Sequence, residues 1–320
     1  MTATAQQTED GARFWRATLP NRETWLVARQ GVLGGSDVAA LFTDEDGKSL
    51  NPYKNAYELY LEKVGLETQS VEETEAMYWG KHLEPFIATR YQAETQRLIV
   101  PLGFTICRTS LCPYLGTTPD CEIPEVDGFE GPGLLSIKNV DLMRFIRQKW
   151  DEAELPPYIQ IQLQAELAAT GHLWGSFALL VGGNRFRWLD VKRNDDFIEV
   201  LIERVTEFKA RVDAQDPPPV DGSERTTSAL KRLYSRENGE TIVLGDELRA
   251  VAALFERAKK DEKEANERKR LHQNQLLSAI GAAAEAKFSD GSGYTLKTIN
   301  KAEYSVKAQS YRELRRKAAK

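Results

Sequence analysis

The chain has few cysteines and no long apolar run. Cys107, Cys112 and Cys121 are its three cysteines, an odd number that fits a reducing cytosol better than a disulfide framework. No stretch approaches the ~18 consecutive apolar residues of a membrane span. The N-terminal segment lacks the basic start and apolar core of a secretory signal. We therefore expect a cytoplasmic protein without a membrane partner.

The chain also lacks an excess of positive charge. Its 43 Lys and Arg residues stand against 48 Asp and Glu residues, for a net charge of −5. This balance disfavours a protein that coats nucleic acid through bulk charge, and it leaves room for an enzyme with a locally basic groove. With 28% charged and 41% hydrophobic residues, the composition is that of a globular protein and not of a disordered chain.

The strongest break in the sequence is the proline triplet 217–219. Three prolines do not continue a helix and favour an extended spacer. We therefore predict one domain over residues 1–215 and a C-terminal helical extension, with a short strand and a basic tail, over 216–320. In the first domain, helical and strand-like patterns alternate, which predicts an α/β fold with a mixed sheet flanked by helices. The predicted helices are Pro52–Val64, Val71–Thr95, Pro156–Thr170, Asp195–Ala214 and Gly245–Gly281, and the predicted strands are Leu98–Cys107, Leu111–Gly116, Leu134–Val140, Ser176–Val181, Arg185–Asp190 and Tyr294–Ile299.

Three residues with chemical potential follow one another in a fixed order. Glu84 lies in a predicted helix, Asp120 follows a predicted strand, and Lys138 lies within a strand. Each alone has an ordinary explanation, because glutamates on helices are mostly solvated and an aspartate after proline is usually a turn former. A lysine among apolar strand residues is less ordinary, since its charged tip must find water or a partner.

Together these segments resemble the PD-(D/E)xK nuclease superfamily, and more closely its YqaJ-like, lambda-type phage exonuclease family. The likeness covers roughly residues 13–212 and implies a restriction-endonuclease-like sheet. It is carried by the segments Trp25–Arg29, Gly34–Ala40, Asn51–Tyr53, Tyr57–Leu59, Gly80–Pro85, Thr118–Asp120, Ser136–Lys138, Gln162–Gln164, Thr170–Gly171 and Val181–Asn184.

The resemblance implies phosphodiester hydrolysis with Mg²⁺, or Mn²⁺, held by hard oxygen donors. In the family pattern Asp120 would be the central metal ligand and Glu84 a ligand for a second ion or its water. The carbonyl of Ile137 would be a backbone ligand. Lys138 would orient water or offset phosphate charge, and Gln162 would hold a water at the site.

One position departs from the pattern. The family has an acid two residues before the lysine, and Ser136 stands there. A hydroxyl is a neutral, weak Mg²⁺ ligand, so the site loses one negative charge. Three interpretations stay open: an inactive protein, a displaced acid, or metal held through water at Ser136. Glu122 is the predicted displaced acid, because it lies two residues beyond Asp120 and could share its face.

A second group of residues concerns the DNA end. In lambda-type exonucleases, the positions of Arg29, Ser36 and Thr118 form a pocket for the terminal 5′-phosphate. A guanidinium and hydroxyls at a helix start suit an anion. The alternative is that Ser36 and Asp37 simply cap a helix over Asp37–Phe42.

Two weaker signals concern DNA as well. Trp25 could stack on a base or lie in the core. The last twenty residues carry a net charge of +5, including Arg315, Arg316 and Lys317. This tail could bind duplex phosphates, or it could be a frayed basic terminus.

The resemblance implies a metal-dependent 5′-to-3′ exonuclease that recognises double-stranded DNA ends and releases mononucleotides. It also implies a single-strand annealing protein as partner and a possible homotrimer. The alternatives are a catalytically impaired DNA-end-binding or partner-recruiting protein, motivated by Ser136, and an endonuclease of the same fold.

Overall fold

The computed structural model describes residues 3–7, 13–66, 73–147 and 155–300, and the chain divides into the units 1–234 and 235–320. The helices of the first unit are α1 (Arg22–Gln30), α2 (Gly35–Val38), α3 (Ala56–Lys63), α4 (Glu75–Thr95), α5 (Leu142–Arg147), α6 (Pro157–Thr170), α7 (Asp195–Ala214) and α8 (Glu224–Leu233), with a 3-10 turn at Ala39–Leu41. Its strands are β1 (Ala3–Gln7), β2 (Arg13–Thr18), β3 (Val100–Pro101), β4 (Thr105–Thr109), β5 (Cys112–Thr117), β6 (Cys121–Ile123), β7 (Gly133–Val140), β8 (Trp174–Val181) and β9 (Arg185–Lys192). The second unit contains α9 (Glu247–Ile280), β10 (Glu285–Lys287) and β11 (Gly293–Thr295).

The first unit is built on two sheets. One sheet has the order β3-β6-β7-β8-β9 and is mixed, because β7 and β8 run parallel while the other neighbours are antiparallel. The second sheet is antiparallel, with the order β1-β2-β4-β5. The predicted fold class, a mixed sheet flanked by helices, is confirmed.

Helix α6 lies between the two sheets, in contact with β4, β5, β7 and β8. It begins with Pro157 at its first turn and ends at Gly171, whose φ of +78° is the left-handed conformation that glycine adopts freely. Leu163 and Leu167 pack against Leu134 of β7. Ten of the fourteen residues of α6 are buried, so a polar side chain on it faces protein rather than water. The predicted helix is confirmed to within one residue.

Helix α4 covers the other face of the mixed sheet, where Ile87 and Tyr91 pack against Leu135 and Ile137. Its N-cap is Thr74, which accepts a hydrogen bond from the Met77 N–H. The helix predicted over Val71–Thr95 ends at Thr95 as expected, and within the described residues it begins at Glu75.

The edge of β7 changes partners halfway along the strand. β6 pairs only with residues 133–135 of β7. From Ser136 onward, β6 no longer runs beside β7, and the turn that holds Asp120 takes its place. This half of the strand, residues 136–140, is called here the open edge of β7.

Several predicted boundaries shift. The helix predicted from Pro52 begins at Ala56, because Asn55 caps it together with Glu58. The strand predicted over Leu98–Cys107 is two strands, β3 and β4, with Gly103 at a φ of +56° between them.

Helix α8 belongs to the first unit. Its Ala229 lies in the core, and Thr226 accepts a hydrogen bond from Asn55 Nδ2 at 2.7 Å. The domain boundary predicted after residue 215 falls before this helix, whereas the unit extends to Tyr234.

In the second unit, α9 runs for 34 residues without a buried side chain, and β10 and β11 form an antiparallel pair. None of the helices described is both long and apolar enough to cross a membrane. Arg315, Arg316 and Lys317 lie outside the described residues, so the DNA-binding tail stays a prediction.

Candidate metal and phosphate site at the open edge of β7

Asp120 anchors the site. It is half-buried and directly precedes β6, and its Oδ2 accepts a hydrogen bond from the Ile137 N–H at 2.7 Å. The carboxylate is thereby fixed against the open edge of β7. Burial raises the pKa of Asp120, while the charge of Lys138 and the Ile137 N–H oppose that rise.

Lys138 and helix α6 form one wall of a cleft. Side chains two apart on a strand share a face, so Ser136 and Lys138 face α6 as Leu134 does. Lys138 and Gln162 line a cleft of about 160 Å³. The other residues that line it are Tyr53, Asn139, Val140, Arg144, Tyr158 and Ile159.

Glu166 lies one helical turn beyond Gln162 and is 2% exposed. Its Oε1 accepts a hydrogen bond from Gln162 Nε2 at 2.8 Å. Its Oε2 is one of four buried side-chain polar atoms in the described residues that have no hydrogen-bond partner, and Ser136 Oγ is another.

The charges at the site act on one another. Lys138 lowers the pKa values of Glu84, Asp120 and Glu166, which places one ammonium within Coulomb reach of three carboxylates. Burial, and after it the charge of the neighbouring Asp120, nevertheless raise the pKa of Glu84 to about 7. Burial also raises the pKa of Glu166 to about 7. Buried carboxylates with perturbed pKa values beside one ammonium are typical of a functional site.

The donor chemistry fits a hard divalent cation. Carboxylates, a strand carbonyl and the unpaired, buried Oε2 of Glu166 are oxygen donors. Within the described residues, however, no three Asp, Glu, His or Cys side chains are gathered closely enough to hold a metal ion. Mg²⁺ is commonly bound through one or two carboxylates, with water and substrate phosphate completing its shell. A site with oxygen donors but without a three-residue ligand group among the described residues is therefore compatible with Mg²⁺.

Glu122, the predicted displaced acid, is occupied by other residues. It forms a bidentate pair with Arg16, whose Nη1 lies 2.9 Å from Oε2, and its Oε1 is 2.8 Å from His172 Nε2. The hydrogen bonds from Arg16 and then His172 lower the pKa of Glu122 to about 2. Glu122 therefore has both oxygens engaged, which makes it a poor substitute for the acid missing at Ser136.

Two members of the predicted phosphate pocket meet at Gly34. A Cβ atom built on Gly34 would lie 3.2 Å from Arg29 Nη2 and 4.0 Å from Ser36 Oγ. The same Cβ would lie 3.4 Å from a carboxylate oxygen of Asp37, which pairs with Lys54 at 3.0 Å. Helix α2 begins at Gly35, and no side chain caps its N-terminus. Ser36 lies in the first turn of α2, where its side chain is exposed and does not act as the cap.

Thr118 follows a strand segment that is bridged to the residues before α2. Leu33 and Leu115 form a parallel bridge, with the Leu33 N–H donating to Tyr114 O at 2.8 Å. Ser36 and Thr118 each lie three residues beyond this bridge, and parallel segments leave it in the same direction.

Trp25 is half-buried in contact with Phe104, and its ring lies 4.7 Å from the Arg29 guanidinium carbon. Its Nε1 is buried without a hydrogen-bond partner in the described residues. Stacking of Trp25 on DNA stays a prediction.

The sequence prediction missed Glu166 and Lys54. Glu166 is the one charged residue between Pro157 and Thr170, a segment in which apolar residues predominate. It stands four positions after Gln162, and that spacing places both on one side of a helix. Such a charge in a buried helix was a usable signal. Lys54 follows the Asn51 turn, whose Oδ1 accepts from the Tyr53 and Lys54 N–H groups, and nothing in the local pattern pointed to Asp37 as its partner.

Comparison with known proteins shows what the part of the chain that carries this site is similar to. The model of the YqaJ-like viral recombinase domain matches residues 24–173. The uncharacterized protein YqaJ of Bacillus subtilis (strain 168) is 26% identical over 228 residues, which are 70% of this chain and 67% of that protein.

Two solved structures are also similar. An alkaline exonuclease (LHK-Exo) from Laribacter hongkongensis is 22% identical with a TM-score of 0.48, over 67% of this chain and 98% of that one. A phage-related exonuclease from Haemophilus somnus 129PT is 11% identical with a TM-score of 0.40, over 57% of this chain and 94% of that one. The family resemblance read from the sequence is confirmed: residues 24–173, which include Glu84, Asp120 and Lys138, match the YqaJ-like viral recombinase domain.

Proposed function

We propose that the chain is a metal-dependent 5′-to-3′ exonuclease that recognises the 5′-phosphate of double-stranded DNA and releases mononucleotides. The match of residues 24–173 to the YqaJ-like viral recombinase domain supports a nuclease of the phage recombinase type. The 5′-to-3′ direction, the metal dependence and the mononucleotide products are our proposals beyond that statement. The observation that carries the proposal is the single ammonium of Lys138 acting on Asp120 and Glu84 at the open edge of β7.

Asp120, Glu84 and the carbonyl of Ile137 are the groups that would hold Mg²⁺, with Mn²⁺ as a possible replacement. In a β-strand the N–H and C=O of one residue point to the same side. Since the Ile137 N–H donates to Asp120, the Ile137 carbonyl faces the same edge. A divalent cation there would stabilise the negative charge that develops on the phosphate.

The cleft residues supply the remaining chemistry. Lys138 offsets phosphate charge or orients the attacking water from the strand side. Gln162 has its amide nitrogen fixed by Glu166, so its amide oxygen is left to orient a water. Ser136 adds a hydroxyl without hydrogen-bond partners among the described residues and no charge.

Arg29, Ser36 and Thr118 would bind the terminal 5′-phosphate. The guanidinium of Arg29 offers two parallel donors, which suit phosphate geometry, and the two hydroxyls add neutral donors. Asp37 would repel an anion, but its pairing with Lys54 compensates its charge.

We further propose that the protein acts in the cytoplasm with a single-strand annealing protein, which would receive the 3′ overhangs, and that a homotrimer keeps it on the duplex. These partners rest on the family resemblance.

The test uses linear duplex DNA with 5′-phosphate or 5′-hydroxyl ends, with Mg²⁺, with Mn²⁺, or with a chelator. We expect mononucleotides from the phosphorylated 5′ strand in either metal and none with the chelator. Equal digestion of both ends would contradict the phosphate pocket. Cleavage of closed circles would instead indicate an endonuclease.

Ser136 supports a second candidate function. With one negative charge fewer than the family pattern, the chain could bind DNA ends without cleaving them. In that case a labelled 5′-phosphorylated duplex would shift in a binding assay, while no nucleotide would be released at any metal concentration.

A further inference from the structure

The strand position that should carry an acid faces a buried helix. Ser136 is 1% exposed and its Oγ has no hydrogen-bond partner among the described residues. It lies between Leu134 and Lys138 on the side of β7 that faces α6. A ligand group missing at Ser136 could therefore be replaced from α6 without any change in the strand.

Glu166 of α6 carries an unsatisfied carboxylate oxygen. Its Oε1 is held by Gln162, and its Oε2 is buried with no hydrogen-bond partner in the described part of the chain. A buried unpaired carboxylate oxygen is costly in free energy, so it marks a place where a partner is missing from the protein.

Gly35 packs closely against both Glu166 and Thr117. A Cβ atom on Gly35 would lie 3.5 Å from Glu166 Cγ and 3.3 Å from Thr117 Cγ2. Thr117 Oγ1 is a third buried polar atom without a hydrogen-bond partner in the described residues. Unsatisfied oxygens of Glu166 and Thr117 therefore lie in neighbouring side chains, as expected for a polar site that is incomplete without a bound group.

Glu166 also faces the right charges. Lys138 and Asp120 both act on it electrostatically. Glu122, by contrast, has its oxygens engaged by Arg16 and His172.

We propose that Glu166 supplies the carboxylate that the family pattern places at Ser136, so that the metal site is completed from helix α6 instead of strand β7. This inference rests on the proposed metal-dependent function and names a ligand of the same site. It predicts that the acid has changed position while the total charge of the site is conserved.

A site in which Glu166 supplies the acid should respond to substitution differently from a site that simply lacks the acid at Ser136. If Glu166 already provides the acid, adding a second one at Ser136 would place two buried carboxylates side by side, and like charges at short range disfavour each other's ionised form. S136E alone should then bring no gain. E166Q should lose the metal, and S136E/E166Q should recover it.

The test measures Mn²⁺ binding by isothermal titration calorimetry on the full chain without DNA. E166Q keeps the acceptor for Gln162 and is nearly isosteric, so it should fold, which circular dichroism checks. We expect E166Q to weaken Mn²⁺ binding by at least about tenfold, and the double variant to regain most of that loss.

The matched control is E58Q. Glu58 is also a buried glutamate, but it caps α3 by accepting from the Asn55 N–H, which glutamine can do as well. E58Q should bind Mn²⁺ like the wild type. Wild-type binding in E166Q, a double variant no better than E166Q, or no binding by the wild type would each overturn the inference.

Nucleotide release, measured in parallel, separates this inference from the proposed function. Mn²⁺ binding that depends on Glu166 without any DNA hydrolysis would refute the nuclease proposal alone. Hydrolysis with Mn²⁺ binding that ignores Glu166 would refute the inference alone.

Discussion

Glu122 and Glu166 are two glutamates in one part of the fold, and both act electrostatically on the Cys107 thiol. Their surroundings differ. Glu122 is paired with Arg16 and His172, which lower its pKa to about 2, whereas burial raises the pKa of Glu166 to about 7. At pH 7 the same side chain is thus fully ionised in one place and about half-protonated in the other.

The difference separates stability from function. A carboxylate whose hydrogen bonds are all made within the protein stabilises the fold and has little capacity left for a ligand. A carboxylate that is buried and half-satisfied destabilises the fold unless something else binds it. Substitutions in the Glu122 cluster (Arg16, Glu122 and His172) should therefore change the free energy of unfolding alone. Substitutions at the open edge of β7 should change metal binding and catalysis.

The largest effect is expected from Asp120→Asn. Loss of the anchoring carboxylate should lower nucleotide release by about 1,000-fold, because several kcal/mol of metal-dependent stabilisation disappear. Stability should stay the same or rise, since burial disfavours the charge and the amide oxygen can still accept from the Ile137 N–H. Release from a 5′-phosphorylated duplex and a thermal melt measure the two quantities. A variant that is both unstable and inactive would contradict the separation.

The sequence predicted the local parts of this arrangement well. Helix α6 was predictable because Pro157 and Gly171 mark its ends, and β7 because an apolar run of strand length precedes Lys138. Asp120 and Lys138 were identified because their motifs follow one another in a fixed order along the chain. Their segments, β6 and β7, are neighbours in one sheet.

The partners were not predictable, because they depend on distant segments. Arg16 and Glu122 are 106 residues apart in sequence, and β2, which carries Arg16, was not predicted. Glu122 therefore looked like a free acid two residues from Asp120. For Glu166, the sequence showed a charge within a mostly apolar helix, but it did not show that α6 lies between two sheets or that Lys138 and Asp120 act on this carboxylate.

Glu122→Gln should give the next largest effect, and on stability only. The pKa of Glu122 is lowered from 4.5 to about 2. Its contribution to the free energy of unfolding is therefore fully present above about pH 4.5 and is lost as the pH falls towards 2. After allowance for solvent screening, we expect a loss of about 2 kcal/mol at pH 7.

Denaturant unfolding from pH 7 down to pH 2 measures this difference. The gap between wild type and variant should close at the acid end, and nucleotide release by the folded variant should stay within about twofold of the wild type. A gap of the same size at every pH would mean that packing, and not charge, makes Glu122 stabilising.

Arg29→Gln tests the other end of the site with a smaller effect. Removing one charged donor should lower the preference for 5′-phosphate over 5′-hydroxyl ends by about tenfold, in line with ~1.5 kcal/mol for a charge-assisted hydrogen bond. The rate on hydroxyl ends should change little. Arg22→Gln, an exposed arginine on the same helix α1, is the matched control and should leave the preference unchanged.

Glu264→Gln in α9 should have the smallest effect and supplies a third environment for a glutamate. Glu264 is half-exposed and lies 3.7 Å from Lys260, which precedes it by four residues. Exposed pairs contribute little, and the order lysine then glutamate is the weaker one on a helix. We expect a change below about 0.5 kcal/mol in the free energy of unfolding and none in Mn²⁺ affinity.

Denaturant unfolding and calorimetry of the Glu264 variant, run beside Glu122→Gln, check this rank. A loss above about 1 kcal/mol would mean that α9 is covered by another surface in solution, since a solvated pair does not contribute that much. The rank of the three glutamates would then follow assembly as well as the partners seen within the chain. If the expected order of effects holds, the hydrogen bonds that each carboxylate makes within the protein predict its contribution to the free energy of unfolding. A buried carboxylate oxygen without a hydrogen bond then indicates where a metal ion binds.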